Sequence, residues 1–132
     1  MIALEEGVFV SPQIGSEGVA AAAAAGVRTI VNNRPDGEEP GQPGSAEIEA
    51  AAAAAGLAYR HIPVAGAFPA DKVAAMVDAL RKGPVLAFCK SGTRSTYIWA
   101  LARAADGAQV EELVGKAAAA GYDLRPLLPL LR

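Results

Sequence analysis

Cys89, Arg94 and Ser95 fall within six positions of one another, and their types and spacing could do chemistry together. They lie in the stretch 84–97. It opens with the apolar run Val85-Leu86-Ala87-Phe88, which predicts a buried parallel strand. The only cysteine follows, then the short loop Lys90-Ser91-Gly92-Thr93. Ile98, Trp99, Leu101 and Ala102 then recur at helical spacing. A strand, a tight loop and a helix N-terminus together make an anion cradle. Its backbone N–H groups turn inward, and the helix dipole adds partial positive charge. Such a field also stabilises a thiolate, so Cys89 is expected to be a nucleophile. Arg94 can hold a planar or tetrahedral anion through two parallel hydrogen bonds. Ser95 could donate a further bond to the sulfur or to a leaving group. A lone cysteine at a strand end is usually just a small buried hydrophobe. Gly92, Arg94 and Ser95 beside it argue for a reactive one.

The rest of the chain must position this loop. At 132 residues it is long enough for one domain with a single core, 1–132. A net charge of −2 and a pI near 5.4 argue against a nucleic-acid surface. The longest apolar runs are alanine tracts broken by glycine, too short for a bilayer. The start, Met1-Ile2-Ala3-Leu4-Glu5-Glu6, lacks the basic and apolar regions of a signal peptide. A single cysteine cannot form an internal disulfide and suits a cytoplasmic, reducing setting. One cysteine and one histidine do not make a Cys- or His-rich metal site, and the chemistry expected of Cys89 needs no cofactor.

In chain order, Val8-Phe9-Val10 reads as a strand closed by Ser11-Pro12-Gln13. Ser16 reads as an N-cap to a helix over 17–25 that stops at Gly26. A strand over 27–31 leads into a polar loop from Asn32 to Pro43. A helix opens at Ser45 or Ala46 and stops at Gly56. A strand over 57–64 follows, and Pro63 suits an edge. Asp71 stands at the start of a helix whose apolar stripe is Val73, Met76, Val77 and Leu80. Gly83-Pro84 breaks that helix before the Cys89 strand. Helices over 110–120 and 124–131 close the chain. The alternation argues a three-layer α/β fold, with a mostly parallel sheet and helices on both faces. Ligands of such folds sit beyond the C-terminal strand ends. That rim gathers Ser11–Gln13, Asn32–Pro43, the loop 65–69 and the Cys89 loop, so Arg34 is expected near Arg94 as a second anion-binding group. His61 is better read as a hydrogen-bonded structural residue than as a base.

Several of these segments resemble one known family. The run from Thr29 to Glu39, then Ala46-Glu47-Ile48-Glu49, Arg60-His61-Ile62-Pro63-Val64 and the stretch from Cys89 to Ser95 look like the phosphatase-like domain of the beta-lactamase-hydrolase-like proteins. The resemblance covers nearly the whole chain. It implies a cysteine-phosphatase-type fold, similar to dual-specificity phosphatases, with four to five strands. It also implies sulfurtransferase activity in sulfide and persulfide metabolism, sometimes beside or fused to a metal-dependent persulfide dioxygenase as partner. Carried onto this chain, the nucleophile is Cys89, the anion-holding arginine is Arg94, and the loop amides are those of Lys90, Ser91, Gly92, Thr93, Arg94 and Ser95.

Two chemistries compete. Cysteine phosphatases carry five residues between cysteine and arginine; here there are four, resembling the rhodanese Cys-x-x-Gly-x-Arg loop. A phosphatase also needs an acid for its leaving oxygen, and Ala65-Gly66 carries no carboxylate after Val64. Asp71 is the nearest candidate, though it reads more simply as a helix-start residue. A sulfur donor leaves as a stabilised anion and needs no acid. The expectation is therefore sulfur transfer through a Cys89 persulfide, with Lys90 recruiting anionic donors and a thiol or small anion as acceptor. The alternatives are a phosphatase working through phosphocysteine and a non-catalytic anion-binding module.

Overall fold

The computed structural model describes residues 1–132. Five strands form one sheet in the order β1-β2-β5-β3-β4. They are β1 (Ile2–Glu5), β2 (Val8–Ser11), β3 (Thr29–Asn32), β4 (Ala58–His61) and β5 (Val85–Phe88). The four strands from β2 to β4 are parallel. β1 pairs antiparallel with β2 and forms one edge. This strand was not expected: Ile2-Ala3-Leu4-Glu5 is short and ends in charge, so periodicity gives it little weight.

The helices are α1 (Ser16–Ala24), α2 (Ser45–Ala54), α3 (Ala70–Leu80), α4 (Thr93–Ala105), α5 (Val110–Ala119) and α6 (Leu128–Leu131). No helix is long and apolar enough to cross a membrane. The N-cap of α1 is Gly15, with no side-chain cap, so Ser16 is the first helical residue rather than the cap. The strand expected over 57–64 ends at His61, and Pro63 lies beyond it, past the edge strand β4. The helix expected over 124–131 is split into a 3-10 turn, Arg125–Leu127, and the short α6. Pro126 and Pro129 each lack an N–H, and each sits near the start of its segment, where that loss is tolerated.

Two apolar layers flank the sheet. Val19 and Ala22 of α1 and Ile48 and Ala52 of α2 pack with Ile30, Leu86 and Phe88 on one face. Met76 and Ala79 of α3, Ile98 and Trp99 of α4 and Leu113 and Ala117 of α5 pack with Val10, Val31, Val85 and Ala87 on the other. β5 is the central strand, buried at all four positions, and its alternate residues enter opposite layers. Trp99 is fully buried, and its indole N–H donates to Glu5 Oε2 at 2.9 Å. Glu5 also accepts from Arg103 of α4 and Lys116 of α5, so both helices are tied to the N-terminal hairpin. Those donors outweigh burial and hold the Glu5 carboxyl below its usual pKa.

Candidate active site

Cys89 follows the last residue of β5, and α4 begins four residues later at Thr93. Gly92 is the cap between them, with φ of 93°, a left-handed conformation that favours glycine. That turn aims its amide at the cysteine: Gly92 N–H donates to Cys89 Sγ at 3.1 Å. The cysteine itself is fully buried. The Gly92 carbonyl accepts from both the Thr96 amide and the Thr96 hydroxyl, which anchors the turn to the helix. Ser91 Oγ donates to Thr93 Oγ1, and the Thr93 amide donates back to Ser91 Oγ.

Tyr122, from the segment after α5, reaches back to this loop and donates to the Ser91 carbonyl at 3.1 Å. A Cβ on Gly92 would overlap the Tyr122 hydroxyl and stand 3.0 Å from its Cζ. Gly92→Ala is thus expected to cost about 1–3 kcal/mol, from the left-handed backbone and the displaced tyrosine together. Urea unfolding of Gly92→Ala, with and without Tyr122→Ala, checks this. Relief of only part of the loss by the second change is the expected result.

Arg94 lies in the first turn of α4. Its Nη1 donates to Glu38 Oε2 at 2.8 Å and to the Val64 carbonyl at 2.9 Å, and its Nη2 donates to Glu38 Oε1 at 2.9 Å. Glu38 raises the Arg94 pKa most; burial opposes it, and the Cys89 sulfur adds to the rise. Arg34 lies on the same rim, as expected. Each of its guanidinium nitrogens is engaged by the protein: Nε with Glu38, Nη2 with Glu39 and Nη1 with Gln13. In this structure it braces the loop rather than presenting a free fork. Lys90 is exposed and pairs with Glu39 at 2.8 Å.

Ser95 differs from expectation. Its hydroxyl donates to Asn33 Oδ1 at 2.8 Å, not to the sulfur, and both residues are fully buried. Asn33 Nδ2 in turn donates to the Ile62 carbonyl. The serine's one proton is thus committed to joining α4 to the loops after β3 and β4. His61 Nε2 donates to the Arg34 carbonyl at 2.9 Å, a structural bond. Asp71 is exposed in the first turn of α3. Tyr97 packs against Phe68, with centroids 6.2 Å apart.

Glu38 is the site residue that sequence reasoning passed over. The adjacent carboxylates Glu38 and Glu39, on the same rim as two arginines, were the available signal. Arg94, then Arg34, pull the Glu38 pKa from an ordinary 4.5 to about 2 against the opposing effect of burial. A depressed carboxylate stabilises the fold fully above its unfolded pKa, here near 4.5, and loses that contribution as pH falls towards 2. The stability gap between wild type and Glu38→Gln is therefore expected to be widest above pH 4.5 and to close towards pH 2, as read by urea unfolding across that range. At neutral pH Glu38 has no proton to give.

A cavity of about 830 Å³ lies between α3, α4 and the chain's end, lined by Phe68, Val73, Val77 and Leu101 among others. No residue from Cys89 to Ser95 lines it.

The Beta-lactamase hydrolase-like protein, phosphatase-like domain family model matches residues 1–106. The chain belongs to this family. A Xylella fastidiosa Beta-lactamase hydrolase-like protein is 38% identical over 128 residues, covering 94% of this chain and 30% of that protein. An Agrobacterium fabrum protein of the same description is 45% identical over 87 residues, covering 64% of this chain and 20% of its own length. The chain thus spans under a third of the curated relatives it matches. Among solved structures, a Neisseria meningitidis protein described as a candidate phosphatase has a TM-score of 0.85 at 34% identity, covering 98% of this chain and 94% of that one. Kinase associated phosphatase has a TM-score of 0.72 at 13% identity, covering 91% and 81%, a likeness of fold alone. The phosphatase-like domain here has the mostly parallel α/β fold of the cysteine phosphatases. These similar proteins carry phosphatase names, which favours the phosphatase alternative over the expected sulfur transfer.

Proposed function

We propose that this phosphatase-like domain is a cysteine-dependent phosphatase. The observation that carries the reading is the Gly92 amide on Cys89 Sγ at 3.1 Å, between the end of β5 and the first turn of α4. Cys89 Sγ attacks the phosphorus of a phosphomonoester, and the bond to the leaving oxygen breaks with its electron pair. The loop amides and Arg94 carry the charge that gathers on the other oxygens. Water then attacks the phosphocysteine and releases phosphate, regenerating the cysteine. Glu38 is ionised and Asp71 is exposed on α3, so the leaving oxygen takes its proton from solvent. Substrates whose leaving group is stable as an anion, such as aryl phosphates, suit that arrangement.

Sulfur transfer is the second reading, favoured by two specific observations. Four residues, not five, separate Cys89 from Arg94, and the loop from Val64 to Phe68 carries no carboxylate. Here Cys89 Sγ attacks the outer sulfur of thiosulfate or a persulfide, and sulfite or a thiolate departs. A thiol then takes the sulfur from the Cys89 persulfide. Small sulfur donors, thiol acceptors and a persulfide dioxygenase would be the partners on this reading.

Intact-mass measurement after brief exposure to para-nitrophenyl phosphate, and separately to thiosulfate, tests both. A phosphoryl adduct with steady phosphate release is the expected result. A one-sulfur adduct reversed by a thiol, without phosphate release, would replace the first reading by the second. No adduct and no turnover with either would leave an anion-binding module.

A further inference from the structure

We propose that Glu38 is the positioning residue for Arg94, fixing the guanidinium so that one edge stays free for the bound anion; this rests on the reading of the Cys89 loop as an anion site. An arginine has five N–H groups in one plane. Nη1 spends its two on Glu38 Oε2 and the Val64 carbonyl, and Nη2 spends one on Glu38 Oε1. What remains is the Nε–H and the second Nη2–H. These two lie side by side and form the edge that takes an oxyanion with two parallel bonds.

Glu38 is itself held from behind. Its Oε1 accepts from Arg34 Nε at 2.8 Å, and its amide donates to Gln42 Oε1 at 3.1 Å. Arg34 is nearly buried, and its other nitrogens are tied to Glu39 and Gln13. The Arg34 amide donates to Asn32 Oδ1, and its carbonyl accepts from His61. A chain of fixed groups therefore runs from the ends of β3 and β4 through Arg34 and Glu38 to Arg94. A carboxylate merely standing in for substrate would take the free edge and need only one arginine. Glu38 takes the far edge and is clamped between two.

The test is calorimetric titration with inorganic phosphate and with thiosulfate. The full chain is used in a Cys89→Ser background, so that no covalent adduct forms. Glu38→Gln is expected to weaken anion binding about tenfold, and Glu38→Asp, which keeps the charge on a shorter arm, to fall between. In an Arg94→Lys background the same Glu38→Gln change is expected to cost less than twofold, because the plane it positions is gone. A purely structural role for the loop would cost the same in both backgrounds and overturn the inference. Tighter anion binding in Glu38→Gln would also overturn it, since the carboxylate would then be competing with the anion. Should Glu38→Gln fail to fold, unchanged affinity in Glu38→Asp has the same force. If the Cys89→Ser chain binds neither ion, the anion-site reading falls together with this inference. If it binds them and Glu38→Gln is unchanged, the inference alone falls.

Discussion

Cys89→Ser is expected to abolish covalent labelling of the chain by para-nitrophenyl phosphate and its turnover, while the fold stays intact. The exchange replaces one atom at a fully buried position. A serine hydroxyl can still accept the Gly92 N–H that now reaches Sγ at 3.1 Å, so no buried donor is orphaned. Chemistry is another matter. A hydroxyl needs an adjacent base to become a nucleophile, whereas a thiolate does not. His61 is committed to the Arg34 carbonyl and Glu38 to two arginines, so neither is free to serve. Intact mass after exposure, with a thermal melt alongside, is the measurement. An adduct persisting on the serine variant would mean that another residue carries the chemistry and would remove Cys89 from the mechanism.

Arg94→Lys is expected to lower kcat/KM about 10²–10³-fold, the scale found when one preorganised transition-state donor is lost. The positive charge survives the exchange, so a site that needed only a cation would barely notice. An ammonium is a point charge with three donors on a flexible stem. It cannot span both oxygens of Glu38, hold the Val64 carbonyl and still present a parallel pair to an anion, as the guanidinium can. Steady-state kinetics with para-nitrophenyl phosphate, and the rate of adduct formation with thiosulfate, check it. A loss of less than about threefold would show that the plane of Arg94 is not used.

The shape of the Cys89 loop was legible in the sequence because it is local. Cys89, Gly92 and Arg94 lie within one strand-loop-helix junction, and a glycine there already implies a turned amide. The alternation of elements was legible for the same reason, since apolar runs and glycine stops are short-range signals. What stayed hidden is long-range. Glu38 is 56 positions from Arg94, Asn33 is 62 from Ser95, and Tyr122 is 31 from Ser91. No periodicity reports which side chain will meet which across the sheet, so Ser95 was expected at the sulfur when its proton is spent on Asn33. Arg34 was placed on the right rim, but its three partners could not be read from its neighbours. The edge strand β1 escaped because its pairing, not its composition, makes it a strand.

The strand order has a consequence for assembly. β5 is the last strand in sequence, yet it sits between β2 and β3 and contributes to the apolar layers on both faces. Before it inserts, the hairpin of β1 and β2 and the pair of β3 and β4 share no strand contact, and neither apolar layer is closed. Cys89 therefore follows directly on the central strand. Gly92, the cap of α4, follows the last residue of β5 by four positions, so its turn is placed by that central strand. Such late, non-local pairing is what slows folding. It also means that the Gly92 amide reaches Cys89 Sγ only where β5 and the start of α4 are both in place.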